Sequence, residues 1–328
     1  MHAKRLDPET GLSTLIVLGT GAPPALAPAG ISSVTSEQEV KGELSRIVRD
    51  LSIRTGALGI DIGVAALRVF GVPEDMEREV ALGALARTLE WLRGRFLAVP
   101  GPLLAPEELE VLLKTTDHLA GLPVAQGGSG DPTPWTALGA FFAIQACVDE
   151  LTGVTVAVQG VGRVGSILAR DLAAAGAKLF VADIDPEKAK SVAEATGATV
   201  LDPDEIIKTE CDVLSPNARG AVFTDETIPE LRCRYVAGAA NGQLGKIRHA
   251  EMLRDRGIVA VPEEVAGAGW LLNLATELVP GGYKEELARV RVVRIEDSAA
   301  ELLRIAAEEG ITPFGAAELL GDRWRASG

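Results

Sequence analysis

The sequence predicts an α/β protein of two domains, and three observations lead to that fold class. The chain has 328 residues, more than one hydrophobic core usually spans. In its second half, short and nearly continuous apolar segments alternate with helical ones, as in a parallel sheet covered by helices on both faces. After the first of these strands comes the spacing GxGxxG, at Gly160, Gly162 and Gly165. Together they predict a Rossmann-type doubly wound parallel sheet domain and a second, N-terminal α/β domain, with a cleft between.

The elements of the N-terminal half follow from periodicity and turn chemistry. Residues 13–19 are an apolar run that predicts a buried strand, and residues 20–30, rich in Gly, Pro and Ala, predict a loop. Residues 36–52 have helical spacing, and Ser36 with Glu39 makes a capping-box pattern at the start. The other predicted elements are a strand and turn at 60–70 and helices at 73–96 and 106–115.

The segment at residues 125–134, AQGGSGDPTP, is dense in glycine and proline and predicts a hinge between the domains. We therefore expect an N-terminal domain at 1–132 and the Rossmann domain at 133–284, with the helical segment 285–328 packing back on the first domain. Within the Rossmann domain we predict a helix at 135–151 and strands at 154–158, 178–181, 213–214, 235–237 and 258–261.

Composition excludes several classes of partner. With 32 Lys and Arg against 46 Asp and Glu, the net charge of −14 disfavours nucleic acid and acidic membrane surfaces. The N-terminus lacks the apolar region of a signal peptide, and no apolar stretch is long enough for a membrane helix. Three distant cysteines, with no Cys/His ligand spacing, predict neither disulfides nor a metal site. We expect a cytoplasmic protein whose cysteines are small buried hydrophobes.

The glycine motif carries the most information because its context matches a dinucleotide site. Gly160 permits a tight turn, Gly162 lets a pyrophosphate approach the backbone, and Gly165 lets the helix pack closely on the strand. The helix begins at Arg163 and Val164, where its N–H groups and positive dipole end favour phosphate. A strand precedes the motif and an amphipathic helix follows it, so we predict a dinucleotide site.

An acidic residue ends the second strand of this segment. Asp183, followed by Ile184, lies about where the acid that binds the adenosine ribose belongs. Its carboxylate can accept hydrogen bonds from both ribose hydroxyls and would repel a 2′-phosphate. The predicted cofactor is therefore NAD rather than NADP.

At this point the chain resembles the glutamate/leucine/phenylalanine/valine dehydrogenase family, most closely its leucine and phenylalanine branch. The likeness covers about residues 116–324 and is weaker in the first hundred residues, where the frames GIDIGVAALRVFG and GRFLAVPG still align. The motifs that carry it are GSGDPTPWTALG, QGVGRVG, ECDVLSPNARGA, AGAANGQL, EEVAGAGWLLNLATEL and GITPFGAAELLGDRW.

The resemblance implies further cofactor positions. Thr136 is similar to the family threonine near the nicotinamide amide, and Asn241 to the asparagine beside the nicotinamide. Asn217 and Ala218 fall where the family chain passes the ribose on the nicotinamide side. An ordinary helix N-cap is the alternative interpretation of Thr136, and the two roles are compatible.

The family's catalytic positions do not carry over. Ala66 stands where the family has its catalytic lysine, and Gly101 where it has its proton-shuttling aspartate. Gly267 replaces the family asparagine, and residues 27–29 (Ala-Pro-Ala) replace the glycine-rich substrate turn. Arg54 is similar in kind to the lysine that holds the substrate carboxylate, although a solvated residue at the end of a helix is an equal alternative.

Candidates for replacement chemistry are few. Asp61 lies in the turn that holds the family lysine and could act as acid or base, but a turn residue bonded to backbone is the favoured alternative. His118 precedes the hinge loop and is a candidate general acid, although a lone histidine is more often structural. Glu263 and Glu264 follow a strand, at an edge where ligands collect or as first-turn acids of the next helix.

From these residues we expect an NAD-dependent oxidoreductase on the amino-acid dehydrogenase scaffold, acting on a non-standard small molecule such as a carbonyl, an imine or an amino-acid derivative. The alternative is an inactive NAD-binding paralogue that serves as a regulatory or structural subunit. Relatives assemble through the N-terminal domain, so the resemblance implies a homodimer.

Overall fold

The computed structural model describes residues 1–101, 103–148, 150–218 and 220–327, which divide into two compact units. Unit 1 comprises Met1–Asp131, Leu274–Glu285 and the chain from Leu320 onward, and unit 2 comprises Pro132–Asn273 and Glu286–Leu319. Both units are α/β, which confirms the predicted fold class.

Unit 1 is built on a mixed sheet of strand order β1-β2-β4-β3-β5. Strands β1 and β2 are antiparallel, as are β2 and β4, whereas β3 runs parallel to both β4 and β5. Its strands are β1 (His2–Leu6), β2 (Ser13–Leu18), β3 (Ala25–Ile31), β4 (Gly63–Phe70) and β5 (Phe96–Val99). Its helices are α1 (Glu37–Leu58), α2 (Arg78–Leu92) and α3 (Leu109–Leu112).

The prediction of a loop at residues 20–30 is wrong, because strand β3 begins at Ala25 and occupies most of this segment. Ala25, Ala27 and Ala29 are buried in the same cluster as Leu85 and Leu89 of α2. Small side chains leave room for these leucines to pack closely on the strand, and the sheet partners on both sides supply the hydrogen bonds. Small residues with a proline are typical of loops, so local sequence did not indicate a central strand.

Helix boundaries in unit 1 also shifted from the predicted ones. Ser36 caps α1 as expected, with its hydroxyl accepting from the Glu39 N–H at 3.3 Å. The helix runs on to Leu58 and ends at Gly59, which has φ +61°. Helix α2 is shorter than 73–96, and only a short helix lies within 106–115.

Unit 2 is a doubly wound parallel sheet of strand order β11-β10-β9-β6-β7-β8. Its strands are β6 (Thr155–Gln159), β7 (Lys178–Ala182), β8 (Thr199–Val200), β9 (Cys211–Pro216), β10 (Cys233–Val236) and β11 (Val259–Ala260). Its helices are α4 (Thr133–Gln145), α5 (Arg163–Ala174), α6 (Pro186–Thr196), α7 (His249–Asp255), α8 (Glu263–Ala266), α9 (Gly269–Leu274), α10 (Glu285–Val293), α11 (Ile295–Glu309) and α12 (Pro313–Ser327), the last of which continues into unit 1.

Strand β6 lies at the centre of this sheet, where the chain order reverses. From β6 the chain passes to β7 on one side, and β9 pairs with β6 on the other side. Ligands of open parallel sheets bind outside the carboxyl ends of the strands at such a switch point. The residues that follow β6, β7 and β9 therefore form the expected cofactor edge.

The sequence predicts that residues 285–328 pack back on the first domain, and the division into units separates this segment into two parts. Glu286–Leu319 belongs to unit 2, where α11 packs against α4 and α8. Ile295, at the start of α11, is fully buried and lies over Gly139 of α4, which has no side chain to obstruct it. In the C-terminal segment only the chain from Leu320 onward belongs to unit 1, where Gly321 contacts Ile53 of α1.

Within the described residues, no helix is both long and apolar enough to cross a membrane.

Candidate functional site

The glycine turn after β6 has the geometry that the sequence predicted. Gly160 has φ +85°, and a Cβ there would lie 2.7 Å from the Ala218 nitrogen. A Cβ on Gly165 would lie 2.0 Å from the Gly160 carbonyl oxygen, so only glycine lets α5 approach the turn. A Cβ on Gly162 would meet nothing within 4 Å. Gly160 and Gly165 are required by the protein's own packing, whereas Gly162 leaves open space for a ligand.

Helix α5 starts directly at this open space. Gly162 is its N-cap and supplies no side chain to cap the backbone N–H groups of the first turn. Arg163 and Val164 are the first helical residues, and Arg163 is exposed. Uncapped N–H groups at the positive end of the helix dipole fit a pyrophosphate.

Asp183 follows β7 beside the glycine turn. Its carboxylate accepts the Val161 N–H at 2.9 Å and the Asp185 N–H at 3.0 Å. These bonds join the end of β7 to the turn after β6 and hold the carboxylate at the cofactor edge. Ile184, next in sequence, is 93% exposed, and this apolar side chain offers a surface for a planar base.

Asn217 and Ala218 follow β9 and complete the turn on its other side. The Asn217 amide nitrogen donates to the Ser215 carbonyl at 3.0 Å, and its amide oxygen accepts the Ala239 N–H at 3.1 Å. The backbone of Ala218 lies against Gly160. The glycine turn after β6 and the residues that follow β9 are therefore in direct contact.

Asn241 lies on the segment after β10, and two buried polar side chains support that segment. Gln243 is fully buried and its amide donates to the carbonyls of Gly238 and Ala240, at 2.9 and 3.1 Å. Glu263 Oε1 accepts the N–H groups of Gly242 and Gln243, at 2.9 and 3.3 Å. Asn241 itself is exposed. The sequence pointed to Glu263 only as a possible edge residue and missed Gln243, since nothing local marks an internal glutamine as structural.

Thr136 lies in the first turn of α4, which packs against α5. Its hydroxyl donates to the Pro132 carbonyl at 2.9 Å, and because Pro132 is the N-cap of α4, the N-cap interpretation of Thr136 is wrong. The residues described above fit NAD(H), because an open glycine cradle, uncapped helix N–H groups and a ribose-side carboxylate occur together. Gly160, Gly162, Gly165 and Asp183 would hold its adenosine and pyrophosphate half.

The catalytic candidates of unit 1 are placed less favourably. Arg54 is on α1 and is 6% exposed, so it is a buried cation and not the solvated residue of the alternative interpretation. Asp61 is exposed in the loop between α1 and β4. His118 Nε2 lies 3.7 Å from Glu90 of α2, and its ring lies against Gly94. Because Gly94 precedes β5 and Gly101 follows it, the structure does not bring His118 to Gly101.

Residues 27–29, Ala66 and Gly101, which the resemblance aligns with different residues in the family, lie on the same sheet or beside it. Ala66 is fully buried within β4, opposite Val17 of β2. Pro28 of β3 pairs with Val99 of β5, and a Cβ on Gly101 would lie 4.0 Å from Pro28 Cβ. Neither a methyl group nor a glycine can carry a proton.

An ion pair between a buried arginine and a half-buried glutamate near these positions was not predicted. Arg68, two residues after Ala66 on the same face of β4, is 6% exposed and donates to Glu43 of α1 at 3.1 Å. Its Nε, which lies near Gly30, has no hydrogen-bond partner among the described residues. Burial lowers the pKa of Arg68, and the Glu43 carboxylate counteracts this effect. The only signal in the sequence was a charge that interrupts an apolar run.

The cysteines are buried and free. Burial raises the pKa of Cys147 and Cys211 to about 12 and that of Cys233 to about 11. Since the thiolate is the reactive form, these thiols are inert at neutral pH.

Fold and site together define a dinucleotide-binding dehydrogenase domain. Residues 139–231 match the family model "D-isomer specific 2-hydroxyacid dehydrogenase, NAD binding domain". Over 328 aligned positions the chain is 34% identical to leucine dehydrogenase of Bacillus cereus, covering 98% of this chain and 89% of the relative. It is 34% identical to L-tryptophan dehydrogenase of Nostoc punctiforme, covering 91% of this chain and 85% of the relative.

A solved structure agrees with these sequence relatives. The crystal structure of L-tryptophan dehydrogenase from Nostoc punctiforme superposes with a TM-score of 0.89 at 29% identity, covering 100% of this chain and 96% of that one. The chain belongs to the amino-acid dehydrogenase family that contains the leucine, phenylalanine and tryptophan dehydrogenases. Its cofactor is NAD(H).

Proposed function

We propose that this protein is an NAD-dependent oxidoreductase whose substrate is a carbonyl compound, an imine or an amino-acid derivative, and not a free standard amino acid. The observation that carries the proposal is Ala66, which is fully buried in β4 and which the resemblance aligns with the family's catalytic lysine. Oxidative deamination needs a base to activate water and a group to relay protons. With Gly101 at the aspartate position, neither group is supplied by the residues that the resemblance assigns.

Hydride transfer to a simpler acceptor makes fewer demands on the protein. NADH supplies a hydride to the carbonyl or imine carbon, and a proton from water or a side chain goes to its oxygen or nitrogen. The protein must then bind and orient the substrate. We assign carboxylate binding to Arg54, whose planar guanidinium can grip a carboxylate with two parallel hydrogen bonds. Asp61 remains a candidate proton donor. His118 is disfavoured as a general acid, because its ring lies against Gly94 and near Glu90.

An NAD-binding paralogue without catalysis is the second candidate, and the packing of unit 1 favours it. The frame that resembles a glycine-rich catalytic turn is here part of a continuous strand, paired with β2 on one side and β3 on the other. The Arg68–Glu43 ion pair lies on the face of β4 that Ala66 shares. In this case NAD(H) would act as a structural or regulatory ligand, and the chain would serve as a subunit of an active relative.

A deamination assay tests the divergence of the substrate site. Purified protein with NAD⁺ and leucine, phenylalanine, valine or glutamate should form no NADH above background. The double variant Ala66→Lys/Gly101→Asp, which restores the family residue types, is the informative comparison. Robust turnover by the unmodified protein with any of these amino acids would contradict the proposal.

An NADH titration, with a panel of carbonyl and imine acceptors, separates the two candidate functions. Enhanced NADH fluorescence should saturate, and Asp183→Ala should raise the Kd about tenfold or more because the ribose hydroxyls lose a charged acceptor. Turnover with any acceptor supports the enzyme. Binding with no turnover across the panel favours the paralogue, and absence of NADH binding would exclude both.

We also propose that residues 1–132 form the substrate and assembly domain and that the protein is a homodimer. The support is the family's assembly through its N-terminal domain. Light scattering on the purified chain measures this directly, and a monomeric mass at micromolar concentration would refute it.

A further inference from the structure

The segment at residues 238–243, here called the Asn241 loop, is fastened from several sides at the cofactor edge. At its start, Gly238 lies so close to the Pro216 carbonyl that a Cβ would come within 2.3 Å of that oxygen. The Ala240 N–H donates to the same carbonyl at 3.0 Å, and Asn217 accepts the Ala239 N–H. The first half of the loop is thus bound to the end of β9.

The second half of the Asn241 loop is held by side chains that are themselves buried. The Gln243 side-chain amide donates to two carbonyls of the loop. The main-chain carbonyl of Gln243 accepts the N–H groups of Val222 and Phe223 at 3.0 and 2.9 Å. Glu263, 8% exposed, directs one carboxylate oxygen at the adjacent N–H groups of Gly242 and Gln243. Gly242 has φ +70°, so the turn also depends on a left-handed residue.

This arrangement leaves Asn241 with an exposed side chain on a loop whose backbone is held by several hydrogen bonds. Buried polar groups favour hydrogen-bonded arrangements, and the Gln243 and Glu263 side chains bond to the loop backbone through the Gln243 amide nitrogen and Glu263 Oε1. Removing them would free the loop without opening the glycine turn after β6. A rigid loop does not lose conformational entropy when a ligand binds, which strengthens binding.

We propose that Glu263 and Gln243 are positioning residues that preset the Asn241 loop to receive the nicotinamide ring, before the cofactor arrives. The proposal rests on the proposed placement of Asn241 at the nicotinamide and is independent of substrate and turnover. It predicts that loosening the loop weakens ligands that carry nicotinamide and spares ligands that end at the second ribose. NADH and ADP-ribose differ in this respect.

Two glycines offer a matched test that leaves the buried side chains in place. Gly242 and Gly257 have φ +70° and +72°, and a Cβ on either would meet nothing within 4 Å. Gly242→Ala and Gly257→Ala therefore introduce the same backbone strain, one in the Asn241 loop and one after α7. Calorimetric titration with NADH and with ADP-ribose should show a Kd for NADH about tenfold higher in Gly242→Ala. ADP-ribose should bind both variants within twofold of the unmodified protein, and Gly257→Ala should bind NADH normally.

The Glu263 variants test the fastening itself. Glu263→Ala should weaken NADH about tenfold and leave ADP-ribose unchanged, whereas Glu263→Gln keeps an oxygen acceptor and should restore most of the NADH affinity. Equal loss of both ligands in Gly242→Ala would show a general structural role and overturn the proposal, as would no loss of either. If Asn241→Ala binds NADH normally while Gly242→Ala does not, the presetting stands and the assignment of Asn241 at the nicotinamide fails.

Discussion

Single residues of unit 1 show how much stabilisation can rest on contacts between distant parts of the chain. The Asp7 side chain is fully buried and receives two hydrogen bonds from Arg87 of α2, at 2.9 and 2.8 Å. Thr10 donates to the same carboxylate through its N–H and its hydroxyl. These bonds hold the pKa of Asp7 well below its ordinary value. Asp7 lies after β1, so the network joins the β1–β2 hairpin to α2.

Replacing Asp7 should therefore change stability in a pH-dependent way. Because the folded pKa is depressed, the contribution is full above the unfolded pKa of about 3.9 and is lost as the pH falls below it. Asp7→Asn should lower the free energy of unfolding by about 2 kcal/mol at pH 7. The difference from the unmodified protein should shrink between about pH 4 and pH 2.

Urea denaturation followed by circular dichroism at several pH values measures this difference. The exposed Asp117 of the same unit provides the control, and Asp117→Asn should stay within about 0.5 kcal/mol. A destabilisation of Asp7→Asn that does not change between pH 7 and pH 2.5 would show that charge is not its source.

Among the elements, the strand–turn–helix unit β6–α5 was predicted almost completely from sequence. Its glycine spacing, the strand before it and the helix after it are all local features, and Gly160 and Gly165 make the close backbone contacts that the spacing indicated. Strand β3 was missed because its small residues become a strand only between β4 and β5. The geometry of the glycine turn could thus be predicted, whereas the hydrogen bonds of Gln243 and Glu263 to the Asn241 loop could not, since they join residues that are apart in the chain.

Gly162 and Gly165 should respond in opposite ways to the same substitution. Gly165→Ala places a methyl against the Gly160 carbonyl and should destabilise the protein by about 3 kcal/mol. Gly162→Ala meets open space, so stability should change by less than about 1 kcal/mol. Its methyl occupies the space for the pyrophosphate, and the Kd for NADH should rise at least tenfold, or about 1.4 kcal/mol.

Thermal unfolding and NADH titration on both variants separate the two effects. Gly197, which ends α6 with open space around it, lies outside the fingerprint, and Gly197→Ala should keep NADH affinity. Normal NADH binding by Gly162→Ala would mean that the pyrophosphate does not pass this turn.

At the scale of the whole molecule, the residues that fit NAD(H) all belong to unit 2, and the positions that the resemblance aligns with the family's catalytic residues all belong to unit 1 except Gly267. Each unit has its own sheet and its own buried core. A cofactor that binds one folded unit stabilises that unit by mass action, by about 2.7 kcal/mol at a concentration of 100 Kd.

Hydrogen exchange should therefore report NADH binding in unit 2. Amides of residues 159–165, 182–184, 215–218 and 238–243 should exchange more slowly with saturating NADH, because they line the cofactor edge. Amides of β4 in unit 1 should change little, and the Asp183→Ala variant should lose most of the protection. Protection that appears first in β4 would place the cofactor elsewhere.

The sequence by itself determined the fold class and predicted the dinucleotide fingerprint with Asp183, because both follow from local spacing and residue type. The absence of the family's lysine and aspartate at Ala66 and Gly101 stays a prediction from the resemblance. Only the tertiary structure decided that β3 is a central strand and that Glu286–Leu319 belongs to unit 2. It also decided that the His118 ring lies against Gly94, just before β5. The tertiary structure also decided which side chains form hydrogen bonds with the backbone of the Asn241 loop, and that Arg68 pairs with Glu43. These features depend on contacts between residues far apart in the chain, which no local pattern encodes.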